Sequence, residues 1–179
     1  MLQQTLKNTV SFEGNALHTG ESVKVSLIPS GVNTGIVFVR TDLENIEIPA
    51  LAKHINRTNR QTILQKGNAS VGTVEHLMAS LYALGVDNLR IELNGSEVPI
   101  LDGSAAPLVD LIEQAGLSEQ EQEKNYYVLE EPFTFKDEHG CEIMALPSDT
   151  FEVSALIDYG TSVLGPQHAH LDHMTNFRE

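Results

Sequence analysis

TVEHLMASLYALGVDNLRIEL (residues 73–93) changes its period part-way along, and that change decides the fold. In the first half Val74, Leu77, Met78, Leu81 and Leu84 recur at the spacing of one helix face. Thr73 is the predicted N-cap and Gly85 the predicted stop just past the last turn. Beyond Gly85, NLRIEL (88–93) is predicted to be a strand. A single helix followed at once by a strand marks a chain that mixes both elements in one core.

Upstream, strands dominate. SVKVSLIP (22–29) puts Val23, Val25 and Leu27 on one face, the period of a half-buried strand. GIVFVR (35–40) has the same character, and the intervening GVNTG is predicted to join the two as a long-looped hairpin. QTILQ (61–65) and residues 69–71 flank KGN, a second hairpin signal. Downstream, VPIL (98–101) is predicted to be a strand. A second helix is expected over 105–115, with Ser104 as cap, Pro107 in the first turn and Gly116 at its end. Its expected buried stripe is Leu108, Leu111, Ile112 and Ala115.

SEQEQEK (118–124) reads as a solvated connector. Strand-like runs follow at YYVLEE (126–131), FTFK (133–136), CEIMAL (141–146) and FEVSALIDY (151–159), with DEHG (137–140) as a hairpin turn. NFRE (176–179) has the outline of a capping box, as if another helix began there. Strands, two inserted helices and a return to strands predict an α+β fold: a two-layer sandwich of a mixed or antiparallel sheet with helices on one face. The expected organisation is a domain core over 1–125, its closing strands over 126–160, and the start of a truncated second domain over 161–179.

Composition narrows the function. The 179 residues carry 11 basic and 25 acidic side chains, a formal net charge of −14. Nucleic acids and anionic membranes are bound through clustered Lys and Arg, so neither is an expected partner. No run approaches the ~18 apolar residues of a membrane span. Cys141 is the only cysteine, which excludes an internal disulfide and fits a reducing, cytoplasmic setting.

Glu75 and His76 stand out on the first helix. At about 100° per residue, His76 points roughly opposite the apolar stripe and Glu75 lies on its flank. Around His76 that face carries only Ala79, Ser80 and Ala83, where a solvated face usually carries long polar side chains. Small residues there suggest that another element, a second domain or a ligand comes close. The functional reading is a metal-binding imidazole beside a carboxylate base. The plainer reading is an ordinary His beside an ordinary Glu. Spacing alone favours the plainer one, because helical zinc motifs place two His on one face and HExxH is absent.

Other candidates are weaker. HAHLDH places His168 and His170 on one side of a strand with His173 beyond, a possible metal cluster or a polar strand. In LDGSAAP (101–107), Asp102 and Ser104 precede a helix N-terminus, where they either cap the helix or help to hold an anion. Cys141 has no nearby base, and no GxSxG or P-loop pattern occurs. His18, in ALHTG, is undecided between a structural turn and a cleft.

Taken in order, GNALHTG (14–20), NTGIVFVRTDL (33–43), TVEHLMASLYALGVDN (73–88) and EVPILDGSAAP (97–107) resemble the first domain of the UDP-3-O-acyl-N-acetylglucosamine deacetylases. These are zinc-dependent hydrolases of lipid A, and hence lipopolysaccharide, biosynthesis. LIDYGTSVLGPQ (156–167) resembles the family's crossing into its second domain. The resemblance implies that His76 is one of three Zn2+ ligands and Glu75 the general base. It places the other two ligands, in an HK-containing segment, and a further His in the second domain; no HK pair occurs here. It also implies a UDP-linked acyl-glucosamine substrate, with the basic groups for its diphosphate beyond these residues. This chain by itself is then expected to be inactive. The alternative is a non-catalytic binding or scaffold domain of the same fold, with Glu75 and His76 vestigial. A small-molecule kinase would need a phosphate loop that is missing, and a sugar-phosphate dehydratase more clustered His and Glu ligands.

Overall fold

A computed structural model of the protein describes residues 1–138, 140 and 142–177. The chain forms two compact units, Met1–Lys124 and Asn125–Glu179. In the first, strands β1 (Leu2–Leu6), β2 (Val10–Asn15), β3 (Ser22–Pro29), β4 (Ile36–Arg40) and β5 (Ile46–Pro49) come in succession. A short 3-10 turn, Ala52–His54, leads to β6 (Ile55–Arg57), β7 (Ile63–Lys66) and β8 (Ala69–Val71). Then come α1 (Glu75–Ala83), β9 (Leu89–Leu93), α2 (Ala106–Ala115) and β10 (Leu117–Glu123).

Five strands form one sheet in the order β2-β3-β9-β4-β5. All pairings in it are antiparallel except β4 with β9, which is parallel. One face carries Val25, Leu27, Phe38, Ile48, Ile91 and Leu93, all essentially inaccessible to water. These side chains share one core with Leu77 and Leu81 of α1 and with Leu108 and Ile112 of α2. On the other face the alternation exposes a polar ladder, with Arg90 bridging Glu47 and Glu92 and Ser11 bonded to Ser26. The fold is therefore α+β, with its helices on one face. A three-stranded antiparallel sheet, β6-β7-β8, adds Leu64, Ala69 and Val71 to the same core.

Several elements depart from the local pattern, each for a non-local reason. The predicted hairpin of β3 and β4 does not form, because β9 lies between them and pairs with both. Strand β4, an interior strand between β9 and β5, is buried along nearly its whole length instead of alternating. The segment 118–124 is not a connector: β10 pairs antiparallel with β1. Polar side chains anchor it there. Gln120 bonds the Ser30 carbonyl and Asn88, and Lys124 bonds the Gly85 carbonyl and pairs with Asp87. VPIL forms no strand; only Glu97 makes an isolated parallel bridge, to Gly72. In α2 the buried residues are Leu108, Val109, Ile112 and Ala115, with Leu111 only half-buried. Helix α1 ends as expected at Gly85, whose φ of 71° is a conformation that glycine adopts without steric cost.

In the second unit β11 (Phe133–Lys136) pairs with β12 (Glu142–Ala145), as the DEHG turn predicts. Strand β13 (Val153–Ile157) pairs with β14 (Gln167–Leu171), and a 3-10 turn follows at Met174–Asn176. YYVLEE is not a strand. Cys141 and the last two residues of NFRE lie outside the described residues.

Candidate active site

Glu75 is the first residue of α1, so its carboxylate stands where the helix dipole favours negative charge. It is half-buried, and its Oε2 accepts a hydrogen bond from the Thr62 backbone N–H at 3.0 Å. That contact, across 13 residues, ties the base candidate to the strand-side segment preceding β7. Glu75 also borders a cleft of about 310 Å3 whose other lining is mostly apolar, including Leu51, Ile55, Leu64, Val74 and Met78. His76 follows, half-buried, and among the described residues its imidazole has no hydrogen-bond partner. An unpaired ring nitrogen fits the role of one metal ligand. Among the described residues no three His, Cys, Asp or Glu side chains gather to complete a metal site.

The small-residue face around His76 needs one correction. Ser80 is fully buried, and its hydroxyl donates to the His76 carbonyl at 2.8 Å. It belongs to the packed side of a helix that lies against α2. Ala79 remains exposed and Ala83 half-buried.

Thr73 does not cap α1. Val74 occupies that position, and no side chain caps it. Thr73 instead sits at φ 55°, the left-handed region, which costs a β-branched residue on the order of 1–3 kcal/mol. Its hydroxyl donates to Glu97 Oε1 at 2.7 Å and lies 3.2 Å from Gln61 Oε1. The backbone N–H groups of His18 and Thr19 donate to the same carboxylate, each at 3.1 Å. Burial opposes ionisation of Glu97, but the Thr73 hydroxyl and these two amides outweigh it and hold the carboxyl below its ordinary range. His18, ambiguous in the sequence, is thus held by its backbone while its side chain stays exposed.

The remaining candidates stay apart. His168 and His170 lie on β14, where His170 Nδ1 is 2.7 Å from the Ser154 hydroxyl. With His173 they form no metal-binding group among the described residues. Asp102 accepts from the Ser104 backbone and hydroxyl, both at 2.9 Å, which holds its carboxyl low. The Ser104 hydroxyl in turn accepts from the Ala106 N–H at 3.3 Å, so the pair shapes the turn into α2, whose N-cap position is Ala105.

The family described as "LpxC: UDP-3-O-acyl N-acetylglycosamine deacetylase" matches residues 3–179. The chain belongs to this deacetylase family. A bifunctional enzyme LpxC/FabZ of Chlorobaculum tepidum is 44% identical over 171 residues, covering 94% of this chain and 37% of that protein. The UDP-3-O-acyl-N-acetylglucosamine deacetylase of Pseudomonas entomophila is 46% identical over 166 residues, covering 92% of this chain and 54% of that protein. That of Myxococcus xanthus is 45% identical over 172 residues, with 95% and 54% covered. The chain thus spans between about a third and just over half of the length of these relatives.

Within this member of the family, residue-by-residue reading missed Glu97, Gln61 and Thr62. Glu97 is legible only as a lone acid opening an otherwise apolar run, EVPIL. Its partners lie 24 to 79 residues away, beyond the reach of any local pattern.

Proposed function

We propose that this chain supplies the general base, Glu75, and one zinc ligand, His76, of an enzyme that hydrolyses the N-acetyl group of UDP-3-O-acyl-N-acetylglucosamine in lipid A biosynthesis. The observation that carries the reading is the pairing of a held carboxylate with an unpartnered imidazole. Glu75 is fixed by the Thr62 amide at the start of α1, and among the described residues nothing hydrogen-bonds the ring of His76 beside it. Family membership supports the deacetylase chemistry, and the names of the relatives support the substrate.

His76 fits one position of a three-ligand zinc site, and the other two ligands come from residues outside those described here. Zinc, when bound, supplies a polarised water near neutral pH. Glu75 takes a proton from the attacking water as its oxygen adds to the acetyl carbonyl carbon. The C–N bond then breaks as that proton is passed on to the leaving nitrogen, giving a free amine and acetic acid, which ionises to acetate. The Thr62 amide holds the Glu75 carboxylate in place before that transfer. The remainder of the protein is also the source of the basic groups that meet the diphosphate, which a chain of net charge −14 does not itself favour.

The test uses the full-length protein that contains this chain. Glu75→Gln should keep its zinc, measured by metal analysis, and lose about 10²- to 10⁴-fold in acetate release. The 179-residue polypeptide alone should release none. Unchanged turnover in Glu75→Gln would remove the base assignment and favour a non-catalytic scaffold. Turnover by the short polypeptide would overturn the division of ligands.

A further inference from the structure

Glu97 is only 2% exposed, yet nothing in the deacetylation scheme uses it. Burying a carboxylate is costly unless several donors meet it. Here three donors do, from two separate segments: His18 and Thr19 after β2, and Thr73 before α1. The isolated bridge between Gly72 and Glu97 draws the backbones together as well. Gly72 donates to the Ser96 carbonyl at 2.9 Å, and Val98 donates to the Gly72 carbonyl at 3.1 Å.

The contacts run on towards the base. Thr73 lies beside Gln61, and a Cβ at Gly72 would collide with the Gln61 side-chain oxygen. Gln61 precedes Thr62, whose amide holds Glu75. Glu75 itself stands two residues after Thr73, the residue in the left-handed conformation. A neutral side chain at position 97 could not accept from all three donors at once, whereas a carboxylate has about four acceptor sites.

We propose that Glu97 is a positioning residue for the general base: its carboxylate fixes the Thr73 turn and, through it, the segment whose amide aims Glu75. The inference rests on Glu75 being the base. It requires that loss of the Glu97 carboxylate acts on turnover through Glu75 and leaves binding alone.

The test again uses the full-length protein. Glu97→Gln keeps the size and removes the charge. Its kcat should fall about 10- to 100-fold, with KM and zinc content little changed. Thr73→Val, which keeps the shape and drops the hydroxyl, should give the same signature, and Thr73→Ser should restore most of the rate. In a Glu75→Gln background, Glu97→Gln should have no further effect, because its effect passes through Glu75. Additive losses in the double variant, or a raised KM with unchanged kcat, overturn the proposal. Failure of the base assignment looks different: Glu75→Gln itself would turn over like the wild type. Amide exchange at Thr62 reads the clamp without turnover and should speed at least about tenfold in Glu97→Gln. Unchanged exchange there overturns the proposal even in an enzyme that shows no activity. Should Glu97→Gln fail to fold, Thr73→Val carries the same set of tests.

Discussion

The two units of this chain are built from similar amounts of strand per residue and differ in what the strands cover. In Met1–Lys124 the sheet has two helices on it, and every buried hydrophobic side chain among the described residues belongs to this unit. In Asn125–Glu179 there are two hairpins and no buried residue among those described. Tyr127 and Val163 are 93% and 96% exposed, and Phe133, Phe135, Ile143 and Leu156 are exposed as well. The difference shows that strand pairing is not what stabilises a unit of this size. Hydrogen bonding along a ladder contributes little net free energy, and an uncovered two-stranded hairpin is marginal in water. The shared core of sheet and helices carries the stability, and the candidate site stands on the unit that has one.

The contrast between the units should be greatest when they are separated. Residues 1–124 alone should unfold in one cooperative thermal transition, followed by circular dichroism. Residues 125–179 alone should show none, because ordering them is not offset by buried apolar surface. A cooperative transition in the short piece would mean that its hairpins hold a core not visible in their burial.

A pair of matched substitutions sharpens it at the level of single side chains. Phe38→Ala in β4 empties a fully buried position and should cost about 3–5 kcal/mol in the denaturant-unfolding free energy of the 179-residue chain. Phe135→Ala in β11 removes an exposed ring and should stay within about 0.5 kcal/mol. Equal costs would contradict the claim that only the first unit is packed.

The same contrast explains what was readable in the sequence. The stripes of α1 and α2 and the alternation of Val23, Val25 and Leu27 were legible because each reports its own burial through local period. The insertion of β9 between β3 and β4 was not, because register between strands some 60 residues apart leaves no local mark. SEQEQEK looked like a connector because its attachment is made by Gln120 and Lys124 side chains, not by apolar ones. Glu75 and His76 could be singled out from a helical wheel and a family resemblance. Glu97 could not, since its meaning lies in donors supplied by other segments.

Glu97 also offers the finest test of the packed unit, through pH. Its carboxyl is held below the ordinary 4.5, because the Thr73 hydroxyl and two backbone amides favour the ionised form more than burial opposes it. A depressed folded-state value stabilises the fold fully above the unfolded value, and that stabilisation disappears as pH falls through the folded value. Asp42, lowered by its hydrogen bond to Arg40, acts in the same direction. Asp172 in the second unit is lowered too, by Asn176, but it is fully exposed, where such contacts contribute little. In residues 1–124, the stability difference between wild type and Glu97→Gln should therefore be about 1–3 kcal/mol near neutral pH. It should shrink as the solution is acidified below about 4.5. Urea midpoints measured across that window check the sign. A difference that stayed constant down to about pH 3 would mean that the carboxyl binds its proton equally well in the folded and unfolded chain, so that the three donors converging on it do not favour its ionised form.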